Sequence, residues 1–220
     1  MGIKSAGMVK FGNVMSPRAY KLGRRKVAAE ETRARIVDAA RGLLVAEGGF
    51  SGFTVDAVAR LAGVARMTVY YQFGSKVGLL EAVFDSLTVR RGLERLGAAL
   101  RTPDPLDGLA DFIAAFGNFW EADRLLIRRL RGLAALDPDF GQVWWEREER
   151  RREGLRVIVR RLVEEHGRPA PETAEEAVDV LHALIGFDTF DALVGTTRGF
   201  EEAADLVGRI ARDSLGLGDR

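Results

Sequence analysis

Apolar residues recur at three- and four-residue spacing along most of the chain after residue 30. The first stripe consists of Ile36, Ala39, Ala40, Leu43 and Leu44, and this spacing is typical of the buried face of an α-helix. Further helices are predicted over 75–100, 106–120, 123–136, 137–166, 172–197 and 200–215, with glycine or proline near most of the breaks. Because no convincing strand pattern interrupts them, the pattern predicts an all-α protein.

The residues before the first stripe have no periodic apolar face. They contain seven Lys and Arg residues and no acidic residue before Glu30, so residues 1–29 are predicted to form a flexible basic arm. Thr32 is then a candidate N-cap for the first helix, which is predicted to end at Gly48-Gly49.

Two short helices joined by a glycine are predicted between Thr54 and Phe73. Thr54 is a candidate cap for a helix over 55–62, whose inward face consists of Val55, Val58, Ala59 and Ala62. Gly63 follows, where a tight turn needs a residue that tolerates positive φ. The second helix, over 65–73, is expected to bury Val69, Phe73 and part of Tyr70. This arrangement predicts a helix-turn-helix.

The exposed face of the second helix has the chemistry of a major-groove reader. Arg66 can donate two hydrogen bonds to guanine, Gln72 can pair with adenine, and Met67 or the Thr68 methyl can contact a thymine methyl. The hydroxyls of Tyr70 and Tyr71 can donate to phosphates, which fixes register without reading sequence. Ser75 can cap the next helix, and Lys76 lies where a phosphate can be held.

The distribution of charge agrees with a polyanionic partner at one end of the chain. Residues 1–80 contain thirteen Lys and Arg residues against five Asp and Glu residues, a net charge of +8. Residues 81–220 contain twenty against twenty-seven, a net charge of −7, although the overall charge is only +1. The N-terminal part is therefore the expected partner of DNA.

The segment from about Thr32 to Leu80 resembles, without a gap, the DNA-binding domain of the TetR (tetracycline repressor) family. The matching residues are Glu47, Gly49, Phe50, Thr54, Val55, Ala59, Ala62, Gly63, Val64, Thr68, Val69, Tyr70, Phe73, Ser75, Lys76 and Leu79. Met67 departs from the family pattern, which often has Gly or another small residue there.

The resemblance implies a helical homodimer with an N-terminal three-helix helix-turn-helix domain and a C-terminal helical domain for ligand binding and dimerisation. It divides the chain into the arm, a DNA-binding domain over 30–80 and a second domain over 81–220. The family's DNA contacts carry over to Thr54, Arg66, Met67, Thr68, Tyr70, Tyr71, Gln72 and Lys76. The expected partner is a near-palindromic operator, and the expected behaviour is that of a repressor released by a small, largely apolar ligand.

Ligand residues do not carry over, so the sequence offers only candidates. They are aromatic or polar residues within apolar helices: Phe112, Phe116, Trp120, Trp144, His182, Phe187 and Asp188. Plain core packing is the alternative for each aromatic residue. Asp188 and Asp191 interrupt an apolar stretch, where they either orient a polar ligand group, lie exposed or cap a neighbouring element.

The last two helices are the expected dimer surface by family resemblance. Small residues permit close helix approach and apolar residues supply contact: Ala183, Gly186, Ala192, Gly195, Leu184, Ile185, Leu193, Leu206, Val207 and Ile210. Packing within one subunit is the alternative. The Arg- and Glu-rich run over 146–153 is expected to be a solvated helix face.

Several function classes are disfavoured by what the sequence lacks. It has no cysteine, two distant histidines and no nucleophile–base pair, metal-ligand spacing or phosphate loop, so neither a catalytic site, a metal nor a cofactor is expected. No run of about 18 apolar residues or signal peptide is present, so a cytoplasmic protein without a membrane partner is expected. Two alternatives remain: a ligand-independent regulator, and a helical enzyme or small-molecule carrier with a vestigial DNA-binding domain.

Overall fold

The computed structural model describes residues 17–90, 96–167, 171–195 and 198–218, and the elements within these ranges are all helices. They are α1 (Pro17–Val45), α2 (Gly49–Gly52), α3 (Val55–Ala62), α4 (Arg66–Phe73), α5 (Lys76–Arg90), α6 (Leu96–Ala99), α7 (Pro105–Ala122), α8 (Arg124–Leu136), α9 (Pro138–His166), α10 (Ala174–Leu184), α11 (Phe187–Leu193) and α12 (Phe200–Ser214). The predicted all-α class is confirmed for this part of the chain.

The N-terminal helices pack around the stripe found in the sequence. Ile36, Ala40 and Leu44 on α1 are fully buried, and α1 lies against both α3 and α5. Val58 of α3 and Leu80 of α5 are also fully buried. Burial of this apolar surface is what holds the short helices α3 and α4 in place, because helices of eight residues are marginal by themselves.

The C-terminal helices form a second packed body around α7 and α9. Helix α12 lies on α7, whereas α8 and α10 lie on α9. Both α7 and α9 begin with an aspartate cap followed by proline, a typical helix start, at Asp104-Pro105 and Asp137-Pro138. Helix α1 also contacts α8, so the two bodies meet there.

The prediction of a flexible arm is wrong for residues 17–29, which belong to α1. Residues 26–31 are all exposed, so this part of the helix needs no apolar face and its periodicity gave no signal. Good helix formers and the Lys26–Glu30 ion pair, one turn apart, favour the helix instead. Residues 1–16 of the arm lie outside the described residues.

Thr32 is consequently not an N-cap. It lies within α1, and its hydroxyl donates a hydrogen bond to the Ala28 carbonyl oxygen at 2.8 Å. This bond one turn back along the same helix is the usual way for a threonine inside a helix to satisfy its hydroxyl.

Two of the longer predicted helices are also divided differently in the structure. The helix predicted over 172–197 is two helices, because the chain is extended at Gly186, the N-cap of α11. The buried Trp120 indole nitrogen donates to the Ile185 carbonyl oxygen at 2.9 Å at this break. The helix predicted over 75–100 is described as α5 and α6, and residues 91–95 between them lie outside the described part.

Candidate nucleic-acid interface and core cavities

Helix α3 has the local geometry that the sequence predicted. Thr54 is its N-cap, and the threonine hydroxyl oxygen accepts a hydrogen bond from the Ala57 backbone nitrogen at 3.1 Å. Gly63 ends the helix with φ 65°, a conformation that favours glycine. The predicted inward face, Val55, Val58, Ala59 and Ala62, is buried as expected. The hydroxyl proton of Thr54 is left to donate outward.

Helix α4 exposes its first two residues and one tyrosine. Val69 is 1% exposed and fixes the buried side, whereas Met67 is 72% and Tyr71 is 88% exposed. Arg66 is exposed as well. The sequence placed Thr68 and Gln72 on the exposed face, and Phe73 and part of Tyr70 on the buried face. All four are half-buried, so Thr68 and Gln72 are less accessible, and Phe73 is less buried, than the sequence predicted.

Arg66 is held by neighbours on both short helices. Its Nη1 lies 3.0 Å from Oδ2 of Asp56 on α3, and its Nη2 lies 3.3 Å from the Tyr70 hydroxyl. The hydrogen bond with Tyr70 and the negative charge of Asp56 keep the pKa of the guanidinium above its usual value. Sequence reasoning missed Asp56 because its pairing crosses the turn.

A backbone contact sets the junction between α4 and α5. Ser75 caps α5 as predicted, since its hydroxyl oxygen accepts from the Gly78 nitrogen at 3.0 Å. A Cβ at position 78 would collide with the Phe73 carbonyl oxygen, so only glycine fits. Lys76 is half-buried, with Nζ 5.7 Å from the centre of the Phe53 ring. The requirement for Gly78 could not be recognised from the sequence.

Arg33 of α1 fixes the other end of α4, and sequence reasoning also missed it. The guanidinium donates to the Gln72 carbonyl oxygen at 2.8 Å and lies 4.3 Å from the centre of the Phe73 ring. A cation at the C-terminal end of a helix is favoured by the helix dipole. Helix α4 is therefore positioned by α1, α3 and α5 together.

Two neighbouring cavities in the C-terminal body divide the seven predicted ligand residues. The aromatic cavity, about 340 Å³, lies among α5, α6, α7 and α9 and contains Phe112, Phe116 and Trp120 in its wall. The polar cavity, about 250 Å³, lies among α8, α9, α10 and α11 and is lined by Trp144, His182, Phe187 and Asp188. The structure thus brings the seven residues together as a group of three and a group of four.

Glu148 and Arg151 of α9 line both cavities. Arg151 is 6% exposed and pairs with Glu148, and its Nη2 lies 3.0 Å from Nε2 of His182. Burial by itself raises the pKa of Glu148. The hydrogen bond with His182 and the charge of Arg151 outweigh this effect, so the pKa lies below its usual value. Burial, together with the charges of Arg131 and Arg152, lowers the pKa of Arg151 below its usual value even though Glu148 raises it.

The expectation of a solvated face over 146–153 is therefore wrong for two of its arginines. The Arg147 side chain is only 11% exposed and pairs with Asp85 of α5 at 2.6 Å, while its guanidinium lies 4.7 Å from the Phe84 ring. Arg147 and Arg151 lie one turn apart on the inward side of α9. A charge run carries no periodic apolar signal, so this inward stripe was not visible in the sequence.

The two aspartates of α11 form ion pairs with α8. Asp191 accepts from Arg128 at 2.7 Å and from Arg124, and these bonds hold the pKa of Asp191 below its usual value even though burial raises it. Asp188 is exposed and pairs with Arg131. Asp191 therefore ties α11 to α8 and lines neither of the two cavities.

The predicted dimer residues separate into two groups by burial. Ile185 and Val207 are fully buried within the chain, so the expectation of a dimer contact is wrong for these two. The remaining eight are exposed or half-buried: Ala183, Leu184, Gly186, Ala192, Leu193, Gly195, Leu206 and Ile210. Surface for a partner is thus left on α10, α11 and α12.

Neither a membrane span nor a convincing metal centre occurs among the described residues. None of the helices there is long and apolar enough to cross a membrane. Asp104, Glu165 and His166 place one potential ligand atom each within 4.8 Å of one another, but all three are exposed. Exposed groups of this kind are common without a metal, so no metal is assigned.

Comparison with known proteins gives matches to regulators. Residues 36–83 match the family described as "Bacterial regulatory proteins, tetR family". The HTH-type transcriptional regulator SrpR of Pseudomonas putida is 52% identical over 64 residues, which are 28% of this chain and 30% of that protein. The HTH-type transcriptional regulator AlkX of Mycobacterium tuberculosis is 36% identical over 116 residues, 50% of this chain and 47% of AlkX. Each match spans less than half of the relative's length.

A solved structure extends the likeness to most of the fold. NalD, described as the secondary repressor of the MexAB-OprM multidrug efflux pump in Pseudomonas aeruginosa, is 25% identical with a TM-score of 0.64. The match covers 86% of this chain and 97% of NalD. The helical N-terminal and C-terminal bodies therefore occur together in both proteins.

Proposed function

We propose that this chain, which belongs to the tetR family of bacterial regulatory proteins, is a transcriptional regulator that binds duplex DNA sequence-specifically. The observation that carries the proposal is the exposed start of α4, where Arg66 and Met67 lie in solvent beside a capped α3 and a left-handed Gly63. An exposed arginine and a flexible apolar side chain at the start of a recognition helix suit base edges in a major groove.

Base reading and phosphate holding fall to different residues in this proposal. Arg66, Met67 and Thr68 read bases, with Gln72 nearer the half-buried end of α4. Thr54, Tyr70, Tyr71 and Lys76 contact the backbone and fix the register. The net charge of +8 over residues 1–80 supports attraction to the phosphates.

A homodimer through the last two predicted helices, α10 to α12, would present two copies of α4 to one face of DNA. Two recognition helices separated by one helical turn, about 34–36 Å, read a near-palindromic operator. The small residues Ala183, Ala192 and Gly195, which are not buried within the chain, support close approach of a second copy. Such a regulator acts on the chromosome, so we place it in the cytoplasm.

We further infer repression that is relieved by a small, largely apolar ligand in the aromatic cavity. The volume, about 340 Å³, is within the range of small-molecule sites, and five aromatic side chains line it. NalD, which shares the fold, is a repressor, and this supports the same behaviour here. A ligand that binds the DNA-free conformation more tightly shifts the population away from DNA.

The two alternatives make different predictions. A ligand-independent regulator needs no cavity, so the aromatic cavity argues against it. An enzyme or carrier with a vestigial DNA-binding domain would not need an exposed, positioned Arg66. The relatives that match are named regulators, which also disfavours an enzyme.

Selection of bound duplexes from a random pool tests the proposal. We expect enrichment of one inverted repeat whose half-site centres are about one helical turn apart. Control selections with Arg66→Ala should change or relax the consensus at one position of each half-site. A pool without enrichment at low salt, combined with turnover of a screened substrate, would favour the enzyme alternative.

A further inference from the structure

The aromatic cavity and the polar cavity share one cationic wall whose donors are not all used. Arg151 directs Nη1 and Nη2 to Glu148, and Nη2 also lies 3.0 Å from His182. Its Nε is buried and has no hydrogen-bond partner among the described residues. A buried donor without an acceptor costs free energy, so an acceptor brought by a ligand would relieve that cost.

The surroundings of Arg151 determine what else the ligand must be. The guanidinium carbon lies 5.6 Å from the Phe116 ring and 5.7 Å from the Trp120 ring, and both rings line the aromatic cavity. Gly154, one turn along α9, leaves room for Phe112, since a Cβ there would lie 3.0 Å from that ring. The part of the ligand beside Arg151 must therefore be apolar and flat enough to pack against aromatic faces.

The sign of the ligand's charge follows from which groups are already satisfied. Glu148 accepts hydrogen bonds from Arg151, and His182 Nε2 lies 3.2 Å from its Oε2, so its oxygens are occupied. The Trp120 indole nitrogen already donates to Ile185. The other arginines of the two walls are either paired with carboxylates, as Arg131 and Arg147 are, or exposed, as Arg150 is, so the buried donor left over in this wall is Arg151 Nε. The unmet demand is for an acceptor, and a negative one is favoured.

From this geometry we propose that the ligand of the aromatic cavity is an apolar carboxylate, whose head group accepts a hydrogen bond from Arg151 Nε and whose tail packs on Phe116 and Trp120. The inference rests on the proposed ligand-controlled function and specifies its chemical class. Arg151 then joins the ligand to the Glu148–His182 pair and so to α10 in the polar cavity.

A series of compounds with one body and different head groups tests the proposal on the full-length protein. The probes are 3-phenylpropionate, 3-phenylpropionamide and 3-phenylpropylamine, and calorimetric titration gives Kd for each. We expect the carboxylate to bind at least about tenfold more tightly than the amide, and the amine to bind most weakly. Equal binding of carboxylate and amide, absence of binding by all three, or preference for the amine would each overturn the proposal.

Two variants locate the preference on Arg151. Arg151→Gln should abolish the preference for carboxylate over amide. Arg152→Gln removes the same charge from the next residue, which pairs with Asp179 and lines neither cavity, and should keep the preference. An unchanged preference in Arg151→Gln would contradict the assignment. If Arg151→Gln does not fold, the head-group series on the unmodified protein still decides the ligand class.

DNA binding in the same preparation separates this inference from the proposed function. If the selected operator binds but the carboxylate has no advantage, only the ligand class is wrong. If the carboxylate is preferred but no duplex is selected, the cavity assignment stands and the regulatory function fails.

Discussion

Arg66 pairs with Asp56 in the free protein, and in the proposed DNA complex it would instead donate to a guanine edge. Replacing Arg66 with alanine removes a bidentate donor, so we expect roughly 5- to 150-fold weaker operator binding and relaxed preference at one base pair. Gel-shift titration on the selected operator and its single-base variants measures both effects. Arg160→Ala, an exposed arginine on α9, is the matched control and should bind as the unmodified protein does. Unchanged operator affinity in Arg66→Ala would show that Arg66 does not read a base.

Asp56 lies beside Arg66 and places a negative charge next to the proposed DNA surface. Asp56→Asn keeps the shape but removes that charge, so binding to unrelated duplex should tighten because phosphates are repelled less. Arg66 also loses its fixed partner, and we expect the ratio of specific to non-specific affinity to fall. Competition titrations with unrelated DNA measure this ratio. A ratio equal to that of the unmodified protein would mean that Asp56 does not position Arg66.

The helical elements depend on glycine in opposite ways at two positions. Gly42 lies exposed inside α1, and a Cβ added there would have no neighbouring atom within 4 Å, so Gly42→Ala should stabilise the protein by about 0.5–1 kcal/mol. Gly78→Ala should destabilise it, because the new Cβ meets the Phe73 carbonyl oxygen and α4 must move relative to α5. Urea denaturation followed by circular dichroism measures both. If both variants changed the free energy of unfolding equally and in the same direction, the two glycines would not have the distinct roles described.

Helix α3 depends on its N-terminal cap. Thr54→Ala removes the hydroxyl that accepts from Ala57, and we expect a loss of about 1 kcal/mol in the free energy of unfolding. Thr54→Ser retains the hydroxyl and should retain most of the stability. If both variants unfold at the same urea concentration, the cap does not stabilise the domain. Operator binding of Thr54→Ala should also weaken, since Thr54 is a proposed phosphate contact.

Over the whole molecule, α8 connects the polar cavity to the N-terminal body. Arg129 of α8 donates to the carbonyl oxygens of Leu44 and Ala46 at the C-terminal end of α1, and Arg41 of α1 pairs with Asp123, the N-cap of α8. On its other side α8 holds Asp191 of α11 through Arg124 and Arg128. A movement of α11 beside the polar cavity can therefore be transmitted through α8 to α1 by direct contacts.

Arg129→Met should uncouple the two bodies. We expect nearly normal operator affinity without ligand and nearly normal binding of 3-phenylpropionate, but a smaller change in operator affinity when both are present. Fluorescence anisotropy on labelled operator, with and without the carboxylate, gives the coupling directly. Arg160→Met, which changes an exposed arginine of α9 outside this route, is the control and should keep the full coupling. An undiminished coupling in Arg129→Met would rule out this route.

The sequence by itself determined the helical class and the helix-turn-helix. The periodicity of α3, the Thr54 cap and the positive φ of Gly63 depend on residues within one or two turns of each other, so a linear pattern contains them. The Ser75 cap was predictable for the same reason. The seven candidate cavity residues were also chosen from the sequence, as aromatic or polar residues within apolar helices, although their division into two cavities was not visible there.

Only the tertiary structure decided which charged groups lie inside and which helices are interrupted. Different helices come together where Arg147 and Arg151 are buried, where Arg66 pairs with Asp56 and where Arg33 contacts α4. The break at Gly186 coincides with the hydrogen bond that Trp120 donates to Ile185, 65 residues further along the chain. An arginine run looks the same in sequence whether it is solvated or covered, because its burial depends on the acids and rings that other helices bring to it. Residues 26–29 of α1 gave no signal for a different reason: they are exposed, and an exposed stretch of helix needs no apolar face.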